Sequence, residues 1–403
     1  MTERLRLKPR EERRLRGGHV WIYSNEIDTA ATPLKAFAPG DEAVLENAQG
    51  RPLGRVLVSP QALICARLFS RDPKQGFDEG LVLERLRNAL ALREACYGTT
   101  GCYRLVYGES DGLSGLVIDR FGPVVVVQTA TAGMDRHLPL ILSALETLLA
   151  PRSIVLKQDS GARSLEGLEE AVVVHGEPLA HAVPLEENGV RFLAPVLEGQ
   201  KTGWFYDHRE NRARLASLAK GARVLDAFSY VGAWGLTALA RGADALVAVD
   251  GSQRALEHLD ANAAALGLAD RVETVRGDAF KVLEAQADAG ERFDLVIVDP
   301  PALIKRRKDL RAGQHGYERL ARQALRLTTP GGLCLFASCS LHYDRAMMTD
   351  TLRSAARHTD RSLQMLWSHG AGLDHPVHPA IPETDYLKAT LARVSPPGRG
   401  GAF

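Results

Sequence analysis

The strongest constraint on the fold is a series of short apolar runs that alternates with helical stretches in the second half of the chain. Five of these runs have the length and composition of buried strands, at residues 224–226, 246–249, 272–275, 295–298 and 333–336. Strands that alternate with helices at this spacing predict an α/β unit built on a doubly wound parallel sheet. Ligands of such sheets bind beyond the carboxyl ends of the strands, so the residues directly after each run are the candidates for a binding site.

An aspartate ends or follows each of the first four runs. Asp226 begins the turn after the first run, Asp250 ends the second, and Asp278 and Asp299 follow the third and fourth. A carboxylate in the position of Asp250 can accept hydrogen bonds from two ribose hydroxyls, and Asp278 lies where an adenine amino group could bind. One acid at a strand end is usually a helix cap. Four in succession favour a cofactor site.

The glycines of the first turn indicate which cofactor. Between Asp226 and Gly235 the turn contains only Gly232 and Gly235, whereas the dinucleotide fingerprint GxGxxG needs three glycines to admit a pyrophosphate. This disfavours NAD and leaves a nicotinamide-dependent oxidoreductase as a weak alternative. A ligand with a nucleoside and no pyrophosphate fits better, and S-adenosylmethionine is the usual one. The candidate cofactor-binding residues at these strand ends are Asp226, Phe228, Ser229, Gly232, Asp250, Asp278 and Ala279.

The 403 residues are enough for two or three domains. Residues 1–72 contain short β segments between Gly and Pro turns, which predicts a small barrel. Residues 73–185 combine helical stripes, including one near 138–149, with strand-like runs, which predicts an α+β domain. Asn188-Gly189 predicts a hairpin that leads into the parallel-sheet domain, 186–403. The Pro/Gly-rich stretch 396–401 is predicted to lack packed structure.

Basic residues are concentrated near the start of the chain. Seven Lys or Arg between Arg4 and Arg16 stand against Glu3, Glu11 and Glu12, although the whole chain has 50 basic and 49 acidic residues, a net charge of +1. A balanced chain has no global attraction for nucleic acid, so any basic surface must be local. The cluster is either a solvated helix face or a phosphate-contacting patch, and charge alone leaves both interpretations open.

The composition is that of a soluble globular protein, with 45% hydrophobic and 25% charged residues. No run approaches the ~20 apolar residues that cross a bilayer, and no apolar signal segment follows the charged start, so we expect a cytoplasmic protein that does not bind membranes. Five cysteines without metal-ligand spacing predict neither disulfides nor a metal site. The oligomeric state stays open, a homodimer included.

Several further motifs occur at or near the predicted strand ends. They are Gln200-Lys201-Thr202-Gly203, Arg209-Glu210-Asn211-Arg212, Asp299-Pro300-Pro301-Ala302, Ser338-Cys339-Ser340, Asp374-His375-Pro376 and Tyr386-Leu387-Lys388. With these motifs the sequence resembles the RlmI-like family of class I S-adenosylmethionine-dependent 23S rRNA (cytosine-C5) methyltransferases. The resemblance covers nearly the whole chain.

The resemblance implies a domain order, a cofactor and a partner. Residues 1–72 would be a PUA-like RNA-binding β-barrel, 73–185 an α+β middle domain and 186–403 a Rossmann-like methyltransferase domain. The cofactor would be S-adenosylmethionine, the partner large-subunit ribosomal RNA, and Lys201, Thr202 and Gly203 would line the cofactor pocket. Some family members have Lys after Asp-Pro-Pro, whereas this chain has Ala302 and a basic run at 305–308, so the role of a lysine here stays open.

Cys339 lies at the carboxyl edge of the last run, where a substrate would meet the cofactor. Carbon 5 of cytosine is a poor nucleophile, and a thiolate that adds to C6 makes C5 enamine-like. Spacing alone is equally consistent with a small buried residue. The resemblance makes Cys339 the nucleophile and Asp299 the residue that hydrogen-bonds the cytosine edge and favours negative charge on the ring. Cys334, inside the same run, is interpreted as core.

Ala302 also bears on the target atom. Amino-group methyltransferases place an aromatic residue after Asp-Pro-Pro to stack on the base, and Ala302 cannot stack. Together with the resemblance, this favours methyl transfer to C5 of a cytidine in 23S rRNA through a covalent cysteine adduct. Two alternatives stay open: a methyltransferase for another RNA base or position, with Cys339 only structural, and a non-catalytic RNA-binding assembly factor.

Overall fold

The computed structural model of the chain describes residues 3–180 and 182–395. They divide into two compact units, and each unit is discontinuous in sequence. The first comprises Met1–Leu185, Ala194–Tyr206 and Leu373–Thr384, and the second Glu186–Leu193, Asp207–Gly372 and Asp385–Phe403. The Pro/Gly-rich stretch 396–401 lies outside the described residues. Within the part of the chain described here, every helix is too short or too polar to cross a membrane.

The first sheet of the first unit has five strands in the order β1-β3-β4-β5-β2. β1 runs parallel to β3 and the other pairs are antiparallel. The small β domain predicted for this region is confirmed, and the short helix α1 adds to it. Its elements are β1 (Glu3–Arg6), α1 (Glu12–Arg16), β2 (Trp21–Tyr23), β3 (Glu42–Glu46), β4 (Pro52–Val58) and β5 (Ile64–Ser70).

The basic stretch at the start of the chain forms both β1 and α1. Leu5 and Leu7 are fully buried and alternate with arginines, the period of two expected of a strand with one face in the core. Four of the seven basic side chains are in ion pairs with neighbouring glutamates, which neutralises much of the local charge. These pairs are Arg4 and Arg6 with Glu46, Arg14 with Glu26 and Arg16 with Glu12.

The second sheet has the order β10-β9-β8-β7-β6, and helices α2 and α4 pack together beside it. Leu86 of α2, Ile141 of α4 and Val125 of β8 share its core. The predicted α+β unit is confirmed. Its elements are α2 (Glu79–Tyr97), β6 (Cys102–Tyr107), β7 (Leu116–Phe121), β8 (Val124–Thr129), α3 (Ala132–Arg136), α4 (Leu138–Leu149), β9 (Ser153–Gln158), α5 (Gly161–Leu165) and β10 (Ala171–Gly176).

A two-stranded hairpin connects the chain to the next sheet, as predicted. It consists of β11 (Val183–Glu187) and β12 (Val190–Ala194). Asn188 and Gly189 have φ angles of 54° and 72°. A type I′ turn requires positive φ at both central residues, which asparagine and glycine adopt most readily.

The sheet of the second unit has seven strands in the order β15-β14-β13-β16-β17-β19-β18. The five predicted strands are parallel neighbours. The elements are α6 (Arg209–Ala216), β13 (Arg223–Ala227), α7 (Ala233–Ala240), β14 (Ala245–Asp250), α8 (Gln253–Ala265), β15 (Val272–Arg276), α9 (Ala279–Asp288), β16 (Phe293–Val298), α10 (Leu310–Leu327), β17 (Thr328–Ser338), α11 (Arg345–His358), β18 (Ser362–His369) and β19 (Lys388–Ser395).

One edge of this sheet differs from the prediction. β19, which was not among the predicted strands, inserts between β17 and β18 and runs antiparallel to both. The strand order reverses between β13 and β16, which leaves a crevice beyond their carboxyl ends. The apolar core beneath includes Leu225 of β13, Val296 of β16 and Leu320 of α10.

Candidate active site

The end of β13 and the turn that follows it contain two buried oxygens that lack hydrogen bonds. Asp226 is fully buried, and its Oδ2 accepts a hydrogen bond from the Gly235 amide at 3.0 Å. Among the described residues, Asp226 Oδ1 and Ser229 Oγ have no hydrogen-bond partner. Burial raises the pKa of Asp226 to about 8, and the hydrogen bond from Gly235 only partly opposes this. A polar ligand bound here could supply the hydrogen bonds that these two buried oxygens lack.

The backbone of this turn is unusually tight. Phe228, Tyr230 and Gly232 have φ angles of 64°, 50° and 87°. Left-handed φ costs energy for non-glycine residues and concentrates at functional sites. A Cβ at Gly232 would lie 2.7 Å from Leu259 Cγ, so packing as well as φ requires glycine there.

Asp250 joins this turn to the end of β14. Its Oδ2 accepts a hydrogen bond from the Tyr230 amide at 2.9 Å and its Oδ1 from the Ser252 amide at 2.8 Å. Each carboxylate oxygen has a further lone pair for a ligand. Asp278 is exposed and caps α9 by accepting a hydrogen bond from the Phe280 amide at 2.9 Å. The capping interaction that any single strand-end acid was expected to make is therefore present at Asp278.

A pair of phenylalanines, only one of them predicted for the site, lies at the same edge. Phe228 and the half-buried Phe280 are edge to face, with ring centroids 6.4 Å apart. Ala279, a predicted cofactor residue, is buried at the start of α9. Phe280 directly follows Asp278-Ala279, so its position was readable from the same motif.

Asp299, after β16, forms an ion pair with a histidine that sequence reasoning missed. Its Oδ2 lies 3.3 Å from His208 Nε2 and accepts a hydrogen bond from Trp234 Nε1 at 3.1 Å. Burial disfavours charge on both partners, but their mutual attraction outweighs burial: the pKa of His208 is raised and that of Asp299 is lowered. Both shifts favour the form of the pair in which His208 is an imidazolium and Asp299 a carboxylate. The only sequence signal for His208 was its place beside the Arg209–Arg212 motif.

The segment around His208 is anchored by buried polar contacts. Arg212 makes a bidentate pair with Glu187 at 2.6 and 2.8 Å, and both side chains are buried. The Tyr386 hydroxyl donates a hydrogen bond to Asp207 Oδ2. Bidentate arginine–carboxylate pairs fix orientation as well as distance. The Arg209–Arg212 motif therefore positions the start of α6, which His208 directly precedes.

Cys339 follows the last residue of β17 and is half-buried. Its two serine neighbours hydrogen-bond the Tyr317 hydroxyl, each at 2.7 Å. Ser340 Oγ also accepts a hydrogen bond from the Ile304 amide at 3.1 Å, in the loop that begins at Asp299. The structure thus ties the Asp-Pro-Pro loop after β16 to the Ser338–Ser340 turn after β17.

Lys388, at the start of β19, is a second residue to which the sequence assigned no role. It is opposite Ser338 in the antiparallel ladder and is buried. Its Nζ donates hydrogen bonds to the carbonyls of Ser340 and Tyr386, each at 2.6 Å. Burial lowers the pKa of Lys388 to about 8, with Cys339 as the largest opposing influence.

Three of the other four cysteines are buried. Cys334 is buried inside β17, and burial raises its pKa to about 12. Cys65 and Cys102 are buried and Cys96 is half-buried. All five cysteines are thiols rather than disulfides. Among the described residues, no group of three or more His, Cys, Asp or Glu side chains is arranged to hold a metal ion.

The residues Lys201, Thr202 and Gly203 belong to the first unit, whereas the other predicted site residues belong to the second. Thr202 is buried and donates a hydrogen bond to Asp119 Oδ2 at 2.5 Å. Lys201 has a φ of 50°, and its Nζ lies 4.8 Å from the ring centroid of Phe205. Gly203 has a φ of 104°, so this motif forms a tight, glycine-dependent turn.

Two family models match parts of the chain. Residues 5–71 match a PUA-like domain, and residues 210–310 match the family described as conserved hypothetical protein 95. Together they cover most of the first sheet and the first four strands of the last one.

Solved structures share the fold along nearly the whole chain. A Streptococcus mutans protein assigned as a SAM-dependent methyltransferase aligns with a TM-score of 0.81 at 20% identity, covering 97% of this chain and 100% of its own. Another protein assigned as a methyltransferase, solved in complex with SAH, aligns with a TM-score of 0.83 at 21% identity and the same coverage. These likenesses confirm the Rossmann-like methyltransferase fold.

Curated relatives are similar in sequence over the full length. Ribosomal RNA large subunit methyltransferase I of Shewanella denitrificans is 35% identical over 98% of this chain and 100% of its own. The protein of the same name from Aeromonas salmonicida is 36% identical over 96% of this chain and 98% of its own. Full-length identity at this level, together with the shared fold, shows that the chain belongs to the ribosomal RNA large subunit methyltransferase I family.

Proposed function

We propose that this protein transfers a methyl group from S-adenosylmethionine to C5 of a cytidine in large-subunit (23S) ribosomal RNA, through a covalent adduct with Cys339. The observation that carries this proposal is the half-buried Cys339 thiol on a turn that Tyr317 and Ser340 tie to the Asp-Pro-Pro loop. The names of the curated relatives support the coarser part of the proposal, a methyltransferase of large-subunit ribosomal RNA.

The residues at the carboxyl ends of β13, β14 and β15 fit S-adenosylmethionine. Asp250 retains lone pairs for ribose hydroxyls, and the Phe228–Phe280 pair offers apolar surface to an adenine ring. The unsatisfied oxygens of Asp226 and Ser229 suit the polar part of the ligand. When bound, this cofactor supplies a methyl group activated on a sulfonium. We propose Lys201, Thr202, Gly203, Gly232, Asp278 and Ala279 as further cofactor-binding residues.

In the proposed reaction Cys339 makes and then breaks one bond. Its thiolate adds to C6 of the cytosine, which forms an S–C6 bond and gives C5 the character of an enamine carbon. C5 takes the methyl group and still bears its hydrogen. Loss of that hydrogen to solvent as a proton restores the C5–C6 double bond, and the bonding electrons expel the Cys339 thiolate.

The ion pair with His208 changes the role proposed for Asp299. A carboxylate whose pKa is lowered stays ionised at neutral pH and only accepts hydrogen bonds. An anion opposes negative charge on the ring, so Asp299 does not favour that charge as the sequence suggested. An acceptor at this position suits the exocyclic amino group of cytosine, which would distinguish it from uracil.

We propose that residues 1–72 and 73–185 seat the RNA on the methyltransferase domain, 186–403. A cytidine stacked within a helix exposes neither face to Cys339, so the RNA must present it unpaired or flipped out, at a cost of a few kcal/mol. The cytoplasm, where ribosomal RNA is found, is the expected location.

A substitution of Cys339 tests the covalent mechanism. We expect Cys339→Ala to bind S-adenosylmethionine with a near wild-type dissociation constant by calorimetry and to lose transfer of tritiated methyl groups to unmodified 23S rRNA. Wild-type protein, but not this variant, should form a stable adduct with RNA containing 5-fluorocytidine, because fluorine at C5 prevents the proton loss that releases the enzyme. Cys96→Ala is the matched control, since Cys96 is also half-buried but lies in the first unit.

Two results would contradict this proposal. Retained turnover in Cys339→Ala would exclude the adduct, and nucleoside mass spectrometry showing a product other than 5-methylcytidine would change the target. Absence of any transfer by the wild type would favour the RNA-binding assembly factor.

A further inference from the structure

Lys388 is a buried ammonium group that the reaction described above does not use. Its side chain is 4% exposed, and its Nζ donates hydrogen bonds to two backbone carbonyls, those of Ser340 and Tyr386. No carboxylate among the described residues lies within ion-pair distance of this nitrogen. Burial of a charge without an opposite charge is strongly unfavourable, so a lysine at this position needs a reason beyond hydrogen bonds to carbonyls.

The group that can supply the opposite charge is the thiol of Cys339. Lys388 is opposite Ser338 in the β17–β19 ladder, and its hydrogen bond to the Ser340 carbonyl fixes its nitrogen at the residue after Cys339. The thiolate of Cys339 is the largest influence that raises the pKa of Lys388 against burial. Coupling between two sites is reciprocal, so the ammonium favours the thiolate by the same free energy.

The other titratable and charged groups around Lys388 do not replace this partner. Asp344 and Asp385 also raise its pKa, but less than Cys339, and both are exposed. Asp385 Oδ1 lies 3.7 Å from Arg345 Nη2, and Arg345 itself disfavours the ammonium. From α10, Tyr317 faces the Cys339 turn with its pKa raised by burial, so its phenol stays neutral.

We infer that Lys388 is a positioning residue whose ammonium ion stabilises the thiolate of Cys339 for attack. This inference rests on the proposed function, in which Cys339 is the nucleophile. The Cys339 thiol loses its proton to solvent, and no bond of Lys388 changes. The ammonium group remains in place while the sulfur adds to C6 of the cytosine and later leaves it. Reactive cysteines generally owe their thiolate to a nearby cation of this kind.

Alkylation of the full-length protein by iodoacetamide tests this inference without RNA or cofactor. The rate at Cys339 is followed by peptide mass spectrometry between pH 6 and pH 10, with Cys96 as an internal reference. Lys388→Gln keeps an N–H donor for the carbonyls and removes the charge. We expect its alkylation rate at pH 7 to fall about tenfold, with the pH midpoint about one unit higher, because only the thiolate reacts.

Matched variants separate charge from packing. Lys388→Arg should keep a midpoint close to wild type, and Lys220→Met, which removes an exposed lysine of the same unit, should change nothing. Thermal unfolding identifies any variant that fails to fold. An unchanged profile in folded Lys388→Gln would overturn the inference. The inference would also be overturned if, in the wild type, the pH midpoint of alkylation at Cys339 were no lower than that at Cys96.

The two proposals fail in different experiments. If Cys339→Ala still methylates RNA, the covalent mechanism is wrong whatever the alkylation profile. If Cys339→Ala is inactive and alkylation does not depend on Lys388, only the role of Lys388 is wrong.

Discussion

Asp226 and Asp299 lie at the carboxyl ends of neighbouring strands, yet their surroundings move their pKa values in opposite directions. Burial raises the pKa of Asp226 to about 8 despite the attraction of Arg212, whereas the attraction of His208 holds the pKa of Asp299 below its ordinary value. Titratable pairs pushed apart in this way commonly divide roles within one site. Here Asp226 is mostly a neutral acid at pH 7 and Asp299 an anion.

The first prediction concerns the neutral aspartate. In the unfolded chain Asp226 ionises near pH 4, but in the folded protein it stays protonated up to about pH 8. Folding therefore becomes less favourable as pH rises through this window. Relative to Asp226→Asn, the wild type should lose about 2–3 kcal/mol of unfolding free energy between pH 5 and pH 7.

Urea unfolding at several pH values measures how the free energy of unfolding depends on pH. Asp260→Asn, a change at an exposed aspartate, is the control. Parallel curves for wild type and Asp226→Asn would show that Asp226 is ionised in the folded protein.

The second prediction concerns the ion pair. His208→Asn removes the cation that lowers the pKa of Asp299, so the pKa of this carboxyl should rise. The acidic limb of the kcat/KM profile for methyl transfer should move to higher pH by about one unit. His175→Asn, at an exposed residue of the first unit, is the control. An unshifted acidic limb would mean that Asp299 does not control the rate.

At the scale of elements, the loop after β16 combines two features. It begins at Asp299, is tied through Ile304 to the Cys339 turn, and continues into four exposed basic residues, 305–308. Arg306 is paired with Asp309 at 3.3 Å. Lys305, Arg307 and Lys308 therefore place positive charge directly after the loop that Ser340 ties to the Cys339 turn.

A third prediction follows for RNA binding. Simultaneous replacement of Lys305, Arg307 and Lys308 by Ala should weaken 23S rRNA binding and reduce the slope of log Kd against log salt by about one for each phosphate that these side chains neutralise. The kcat at saturating RNA should stay near wild type. Arg326→Ala is the control, because Arg326 is exposed but paired with Asp288 at 2.7 Å. Filter binding across a salt series would refute the prediction if the slopes coincide.

The sequence predicted elements whose signal is local. Five parallel strands were readable because apolar runs alternate with helices, and the hairpin because Asn188-Gly189 suits positive φ. β1 was missed because its arginines obscured the alternation with Leu5 and Leu7, and β19 because Lys388, Thr390 and Arg393 interrupt its apolar residues.

Some residues of the candidate site also had a local sequence signal, and others did not. The strand-end aspartates were readable because topology fixes which residues meet at one edge of a sheet. His208 and Lys388 were not, because their roles depend on partners 91 and 49 residues away, Asp299 and Cys339, and no local pattern encodes such a distance.

At the scale of the whole molecule, the chain passes several times between its two units. Residues 194–206 and 373–384 belong to the first unit although they lie within the proposed methyltransferase domain, 186–403. Neither unit is therefore a continuous segment that could be cut out of the gene intact.

The insertion of β19 between β17 and β18 has a consequence for biosynthesis. Both neighbours precede β19 in the chain, so during translation β17 emerges with one edge unpaired and β18 without any partner strand. Lys388 arrives with that segment. The proposed nucleophile, Cys339, therefore lacks its inferred cationic partner for as long as the ribosome that makes the protein still holds residues 388–395.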